Sequence, residues 1–118
     1  MSHSLSISDL ASEFNVTTRT IRHYEEKGML NPERNGQQRI YTNADRILLE
    51  LILRGKRIGF SLNEIKHILD LYNLPKGKQI QKKFLLDKVK ERQQQLLEQK
   101  QLIDEMLKEM SQLISRFD

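Results

Sequence analysis

A mainly α fold, a winged helix-turn-helix head followed by a long C-terminal dimerisation helix, is predicted by three observations. Two short amphipathic segments between Ile7 and Gly28 are joined by a turn of only about three residues. A basic, glycine-containing stretch from Pro32 to Tyr41 follows at once and carries the turn and strand residues of a hairpin. From Ile80 to Asp118 neither Pro nor Gly interrupts the chain, and apolar residues return at every seventh position. The expected organisation is a head over residues 1–73, a linker over 74–79 and a coiled-coil helix over 80–118.

Composition limits what such a chain can do. Its 118 residues, 37% hydrophobic and 31% charged, suit one small domain plus an extension and leave little room for a deep substrate pocket. The net charge of +4 is shared evenly between residues 1–60 and 61–118, so charge alone hints only mildly at a polyanionic partner. The absence of cysteine excludes disulfides, thiolate metal sites and cysteine nucleophiles. Residues 1–8 are polar, and no stretch approaches the roughly 20 apolar residues that span a bilayer, so the expectation is a soluble, cytoplasmic protein with no membrane partner.

In the first helix Ser8 is the expected cap, Leu10, Ala11 and Phe14 share one side, and Asn15 ends it. Thr17 then caps a second helix, Thr18 to about Lys27, with Ile21 facing inward and Gly28 supplying the stop. Two helices joined so tightly cross steeply, which lets the second lie in a major groove. Thr18, Arg19, Arg22 and His23 fall on its side away from Ile21, a donor-rich face that suits guanine edges and phosphates. A solvated face is the plain alternative.

Alternation in the second strand of the hairpin puts Arg39 and Tyr41 on one face and Ile40 on the other. Arg34 and Arg39, near the tip, would meet the sugar-phosphate backbone. Asn43 is the expected cap of a third helix, Ala44 to Arg57, whose stripe Ile47, Leu48, Leu51 and Ile52 is read as core. That helix closes on Arg54, Lys56 and Arg57, with Gly59 as its stop; these cations either complement the helix dipole or clamp a second phosphate. Ser61 and Glu64 form a capping box for a fourth helix, lined inward by Leu62, Ile65, Ile68, Leu69 and Tyr72, and Asn73 to Gly77 ends it. His3, His23 and His67 lack carboxylates at ligand spacing, so neither a metal nor another cofactor is expected.

The tail reads as one helix of roughly 35 residues, about 50 Å long. Val89, Leu96, Ile103, Met110 and Phe117 repeat every seven residues, flanked by Leu85, Leu86, Met106, Leu107, Leu113 and Ile114. Such a seam calls for another helix, and self-association through an antiparallel or parallel coiled coil is the economical answer, against a helix lying over its own head or a higher oligomer. Lys76, Lys78, Lys82, Lys83, Lys88, Lys90 and Arg92 outweigh Asp87 and Glu91 at the junction; this is either a solvated face or a site for a small anionic effector.

The run Thr17 to Leu30, then Arg39-Ile40-Tyr41, then Ile58 to Ile65, closely resembles the MerR family of bacterial transcription regulators, and the resemblance covers essentially the whole chain. It implies an antiparallel two-helix dimer coil carrying two winged heads onto an inverted repeat in promoter DNA. Implied DNA contacts are Arg19, Arg22, His23 and Tyr24 on the recognition helix, Arg34 and Arg39 on the wing, and Arg57 after the third helix; Thr18, Tyr41 and Lys56 complete the candidate set. His23 departs from the Tyr frequent there in relatives. Family regulators bend and untwist an overlong promoter spacer for RNA polymerase, often under control of an effector. Members that sense metals or redox state carry cysteines at the end of the dimer helix, and drug-binding members append a ligand domain; neither pattern is present in these 118 residues. Residues 51–65 resemble the small regulators of branched-chain amino acid and fatty acid breakdown, which would suggest a catabolic, acyl-CoA-like effector.

Two other classes compete. An excisionase-like architectural DNA-bending protein would share the winged head, but such proteins generally lack a heptad tail. A coiled-coil adaptor would show no salt-dependent DNA binding. No nucleophile with a base, carboxylate pair or phosphate loop occurs at usable spacing, so an enzyme is not expected.

Overall fold

The computed structural model describes residues 4–71 and 74–118. Its elements are α1 (Ile7–Phe14), α2 (Thr18–Glu26), β1 (Glu33–Asn35), β2 (Gln38–Ile40), α3 (Asn43–Arg57), α4 (Leu62–Leu71) and α5 (Gly77–Phe117). They divide into two compact units, one ending at His67 and the other beginning at Ile68.

Three helix starts, those of α1, α3 and α4, are set by reciprocal caps. Ser6, not Ser8, caps α1: its hydroxyl accepts from the Asp9 amide at 3.0 Å, and its own amide donates to Asp9 Oδ2 at 3.0 Å. Thr42, not Asn43, caps α3 in the same way with Asp45, at 3.2 and 2.8 Å. The reason is common to both. An acidic residue three positions on can reach back to the cap amide, whereas Ser8 and Asn43 are followed at that distance by Ala11 and Arg46. The Ser6 amide, as the larger cause, holds the Asp9 carboxyl below its usual range. The expected caps at Thr17 and Ser61 are present, the latter as a full box with Glu64 at 3.1 and 3.0 Å.

One core serves the first unit. Leu10, Ile21, Leu30, Tyr41, Leu49 and Ile52 are its most completely buried large side chains, and Met29 and Phe60 are buried with them. Gly28, at φ 75°, turns the chain out of α2 so that Met29 and Leu30 drop inward. The strands β1 and β2 pair antiparallel around Gly36, with Arg34 opposite Arg39, and Tyr41 bridges back to Leu5 through two backbone bonds of 2.9 Å. Arg46 ties α3 to Glu13 of α1 at 2.7 Å.

The stripe predicted for α3 is rotated. Ile52 is buried as expected, but Leu49 accompanies it, while Ile47 and Leu51 are 49% and 51% exposed. Residues 47–53 are apolar at every position except Glu50, so periodicity alone does not fix the phase of this helix. Gly59, at φ 92°, ends α3 and lets the Phe60 amide reach the Gly55 carbonyl at 3.0 Å. Gly55 admits Ile65, whose side chain would lie 3.0 Å from any added Cβ. Of the inner face expected for α4, Ile65 and Ile68 are buried; Tyr72 and Asn73 lie outside the described residues.

The helix α5 has 41 residues, starting at Gly77 rather than Ile80, which makes it about 62 Å long. Lys76 precedes it at φ 56° with no side-chain cap, and Gln81 donates to the Ile68 carbonyl at 2.7 Å. Beyond Arg92 every residue of the helix is exposed. Among the described residues, no helix is long and apolar enough to cross a membrane.

The cap assignment gives a clean contrast. Thr42→Ala should lower stability to urea by about 1 kcal/mol, while Asn43→Ala should stay within about 0.5 kcal/mol of the parent.

Candidate nucleic-acid interface

The outward face of α2 is built from donors anchored on a capped first turn. Thr17 accepts from the Thr20 amide at 3.1 Å, and the two hydroxyls lie 2.9 Å apart. Arg19, Arg22 and His23 are exposed, Thr18 is half-buried, and Arg22 Nη2 donates to Thr18 Oγ1 at 3.4 Å. That bond curls Arg22 over the start of the helix. Ile21, at 0% exposure, holds the opposite side in the core, so this face points away from the core of the first unit.

The two tyrosines differ from the sequence expectation. Tyr24 is 6% exposed, with its ring in the core and tilted against His23 at 6.2 Å between centroids, so the ring is a packing group. Tyr41 is wholly buried and cannot reach a duplex in this conformation. The face that Arg39 and Tyr41 share is thus turned toward the head. A strand so short, closed by the Leu5 bridge, exposes its other side instead, and Ile40 is only half-buried. The Tyr41 hydroxyl has no hydrogen-bond partner among the described residues, and its pKa is raised, chiefly by burial and then by Glu25.

On the wing the arginines are engaged rather than free. Arg34 Nη2 and Arg39 Nε donate to the two carboxylate oxygens of Glu25 at 2.7 and 2.6 Å. Glu25 carries no signal of its own in the sequence. Only the pairing of Arg34 with Arg39 across the strands, known once the register is known, demands a counter-charge. Lys56 and Arg57 are exposed in the last turn of α3. The described residues contain no cluster of side chains that could hold a metal ion.

A helix-turn-helix with a basic outer face and a two-stranded wing narrows the comparison to DNA-binding heads. The family pattern described as MerR HTH family regulatory protein matches residues 5–71, and that described as MerR, DNA binding matches residues 46–113. The chain belongs to the MerR family. It is 32% identical over 106 residues to the HTH-type transcriptional regulator CueR of Salmonella typhi, a match spanning 87% of this chain and 77% of that protein. With the HTH-type transcriptional activator mta of Bacillus subtilis it shares 31% identity over 114 residues, 95% of this chain and 41% of the relative.

Solved structures agree in fold. A MerR family regulator from Bacillus cereus superposes with a TM-score of 0.73 at 27% identity, covering 98% of this chain and 83% of that one. HiNmlR, a MerR family regulator lacking the sensor domain and bound to promoter DNA, superposes at 0.70 over 86% of this chain and 80% of its own, at 23% identity. This MerR family chain is therefore a DNA-binding transcription regulator and not an enzyme.

The orphaned hydroxyl at the base of the wing yields a direct test. Tyr41→Phe removes a buried polar group that has no partner, so stability in urea should be unchanged or rise by about 1 kcal/mol. A loss of that size would mean the hydroxyl is bonded in solution.

Proposed function

We propose that this regulator binds an inverted-repeat promoter operator as a homodimer and bends or untwists the DNA so that RNA polymerase reads the promoter differently. The observation that carries the reading is the uncovered seam of α5. Leu96, Ile103 and Met110 are 53 to 54% exposed and Phe117 82%, while Met106, Leu107, Leu113 and Ile114 flank them at 49% or more. A soluble chain does not usually leave so long an apolar line in water, and the seven-residue repeat that includes Val89 matches a second helix of the same kind. The described head adds Ile47 and Leu51, also uncovered.

In this reading Arg19 and Arg22 fork onto base edges, Thr18 and the first-turn amides meet a phosphate, and His23 reaches the groove beside them. Arg34, Arg39, Lys56 and Arg57 contact the sugar-phosphate backbone and set the register. Residues 1–73 act as the DNA-binding head, 74–79 as a linker and 80–118 as the dimer helix. Bending a site costs a few kcal/mol, so a modest shift between two dimer conformations is enough to switch transcription. The excess of lysines between Lys76 and Arg92 would suit a small anionic effector, and the likeness of residues 51–65 to catabolic regulators suggests target genes of that kind. The heptad tail favours this reading over an architectural protein without an effector.

Selection of bound duplexes from random sequence tests the core of the proposal: an inverted repeat is expected, and sites without two-fold symmetry would refute it. On the selected site Arg22→Ala should lose roughly 1 to 3 kcal/mol and blur base preference, with a much smaller loss on random duplex. Ile103→Asp should sediment as a monomer and bind the site weakly. A dimeric Ile103→Asp variant would rule out the seam.

A further inference from the structure

Glu25 lies in the last turn of α2, and its carboxylate is divided between the two strands of the wing. Oε1 accepts from Arg34 of β1 and Oε2 from Arg39 of β2. Those arginines face one another in the β1–β2 register, where like charges directly opposite repel. One anion therefore holds together two cations that would otherwise splay the wing. The Glu25 side chain is 18% exposed, against 47% for Arg34 and 24% for Arg39, so the anion is the innermost of the three. Tyr41, completely buried, lies close enough that all three charges act on its hydroxyl, so the cluster rests on packed protein.

This arrangement differs from an ordinary surface ion pair, which contributes little and links nothing in particular. It joins the recognition helix to the wing, the two elements that must meet a duplex together. It also leaves the arginines able to act outward. A guanidinium carries five N–H donors, and the bonds to Glu25 engage a single nitrogen of each.

We propose that Glu25 is a positioning residue for DNA recognition, fastening the wing to α2 so that phosphate-contacting arginines and base-reading donors engage at one fixed spacing. The inference rests on the DNA-contact reading of α2 and the wing given above. Its sign on affinity depends on the sequence bound. A carboxylate beside the phosphates opposes binding to any duplex, whereas the fixed spacing helps only where α2 finds its bases. Glu25 thus widens the gap between specific and random DNA rather than strengthening binding in general.

The decisive variant is Glu25→Gln, which keeps the length and an acceptor oxygen but removes the charge. Binding of the full chain to its selected duplex and to random duplex of equal length is titrated across a salt series, with circular dichroism melts confirming the fold. The expected result is a loss of roughly tenfold on the selected duplex, the scale of one weakened base contact. Affinity for random duplex should hold or rise, with the salt slope steeper by up to about one as the arginines gain phosphates. Where Glu25→Gln melts below the assay temperature, Glu25→Asp, with the charge on a shorter stem, replaces it, and the same split at smaller size is expected. Proportional losses on both duplexes, or no change on either, would overturn the proposal. A parent chain that prefers no sequence over random duplex would instead refute the DNA-contact reading itself, a result distinguishable because it involves no variant.

Discussion

The head depends on one constraint: a small unit has a single core, and its helices and the segments that leave α2 and the wing must each give it a side chain. Leu10 comes from α1, Ile21 from α2, Leu30 from the turn after it, Tyr41 from the end of the wing, and Leu49 and Ile52 from α3. Each inward residue fixes the rotation of its element, and each rotation decides what is left facing water. Ile21 turned inward makes Arg19 and Arg22 face outward. Tyr41 turned inward brings Arg39 over the head, within reach of Glu25. The chemistry of the surface thus follows from the packing beneath it.

Much of this was legible in the sequence because the signals were local. The Thr17 cap, the Ser61 and Glu64 box, the turn at Gly28 and the hairpin around Gly36 each depend on residues within a few positions of one another. Structure and sequence expectation differ where two local choices are nearly equal. Ser6 and Ser8, or Thr42 and Asn43, are all good caps, and the decision falls to an acidic partner three residues on. The phase of α3 was ambiguous because Ile47 to Leu53 is apolar almost all round.

The candidate site was legible on α2 and much less so on the wing. A helix face follows from a 3.6-residue period, so Arg19, Arg22 and His23 could be placed without tertiary information. Whether Tyr24 and Tyr41 face the core depends on neighbours far away in sequence, and an aromatic ring with a hydroxyl suits either side of that boundary. The link from Glu25 to Arg34 and Arg39 spans 9 and 14 residues and three elements, beyond any periodicity.

The exposure of α5 has a consequence for the amount of protein a cell must hold. If α5 pairs with a second copy as proposed, this helix, whose apolar line is uncovered among the described residues, draws its stability from that copy, and so from concentration. In that case dilution weakens the dimer and loosens the tail together. Occupancy of a two-headed site then rises more steeply than in proportion to copy number, so synthesis and turnover of the regulator become inputs to the switch in their own right.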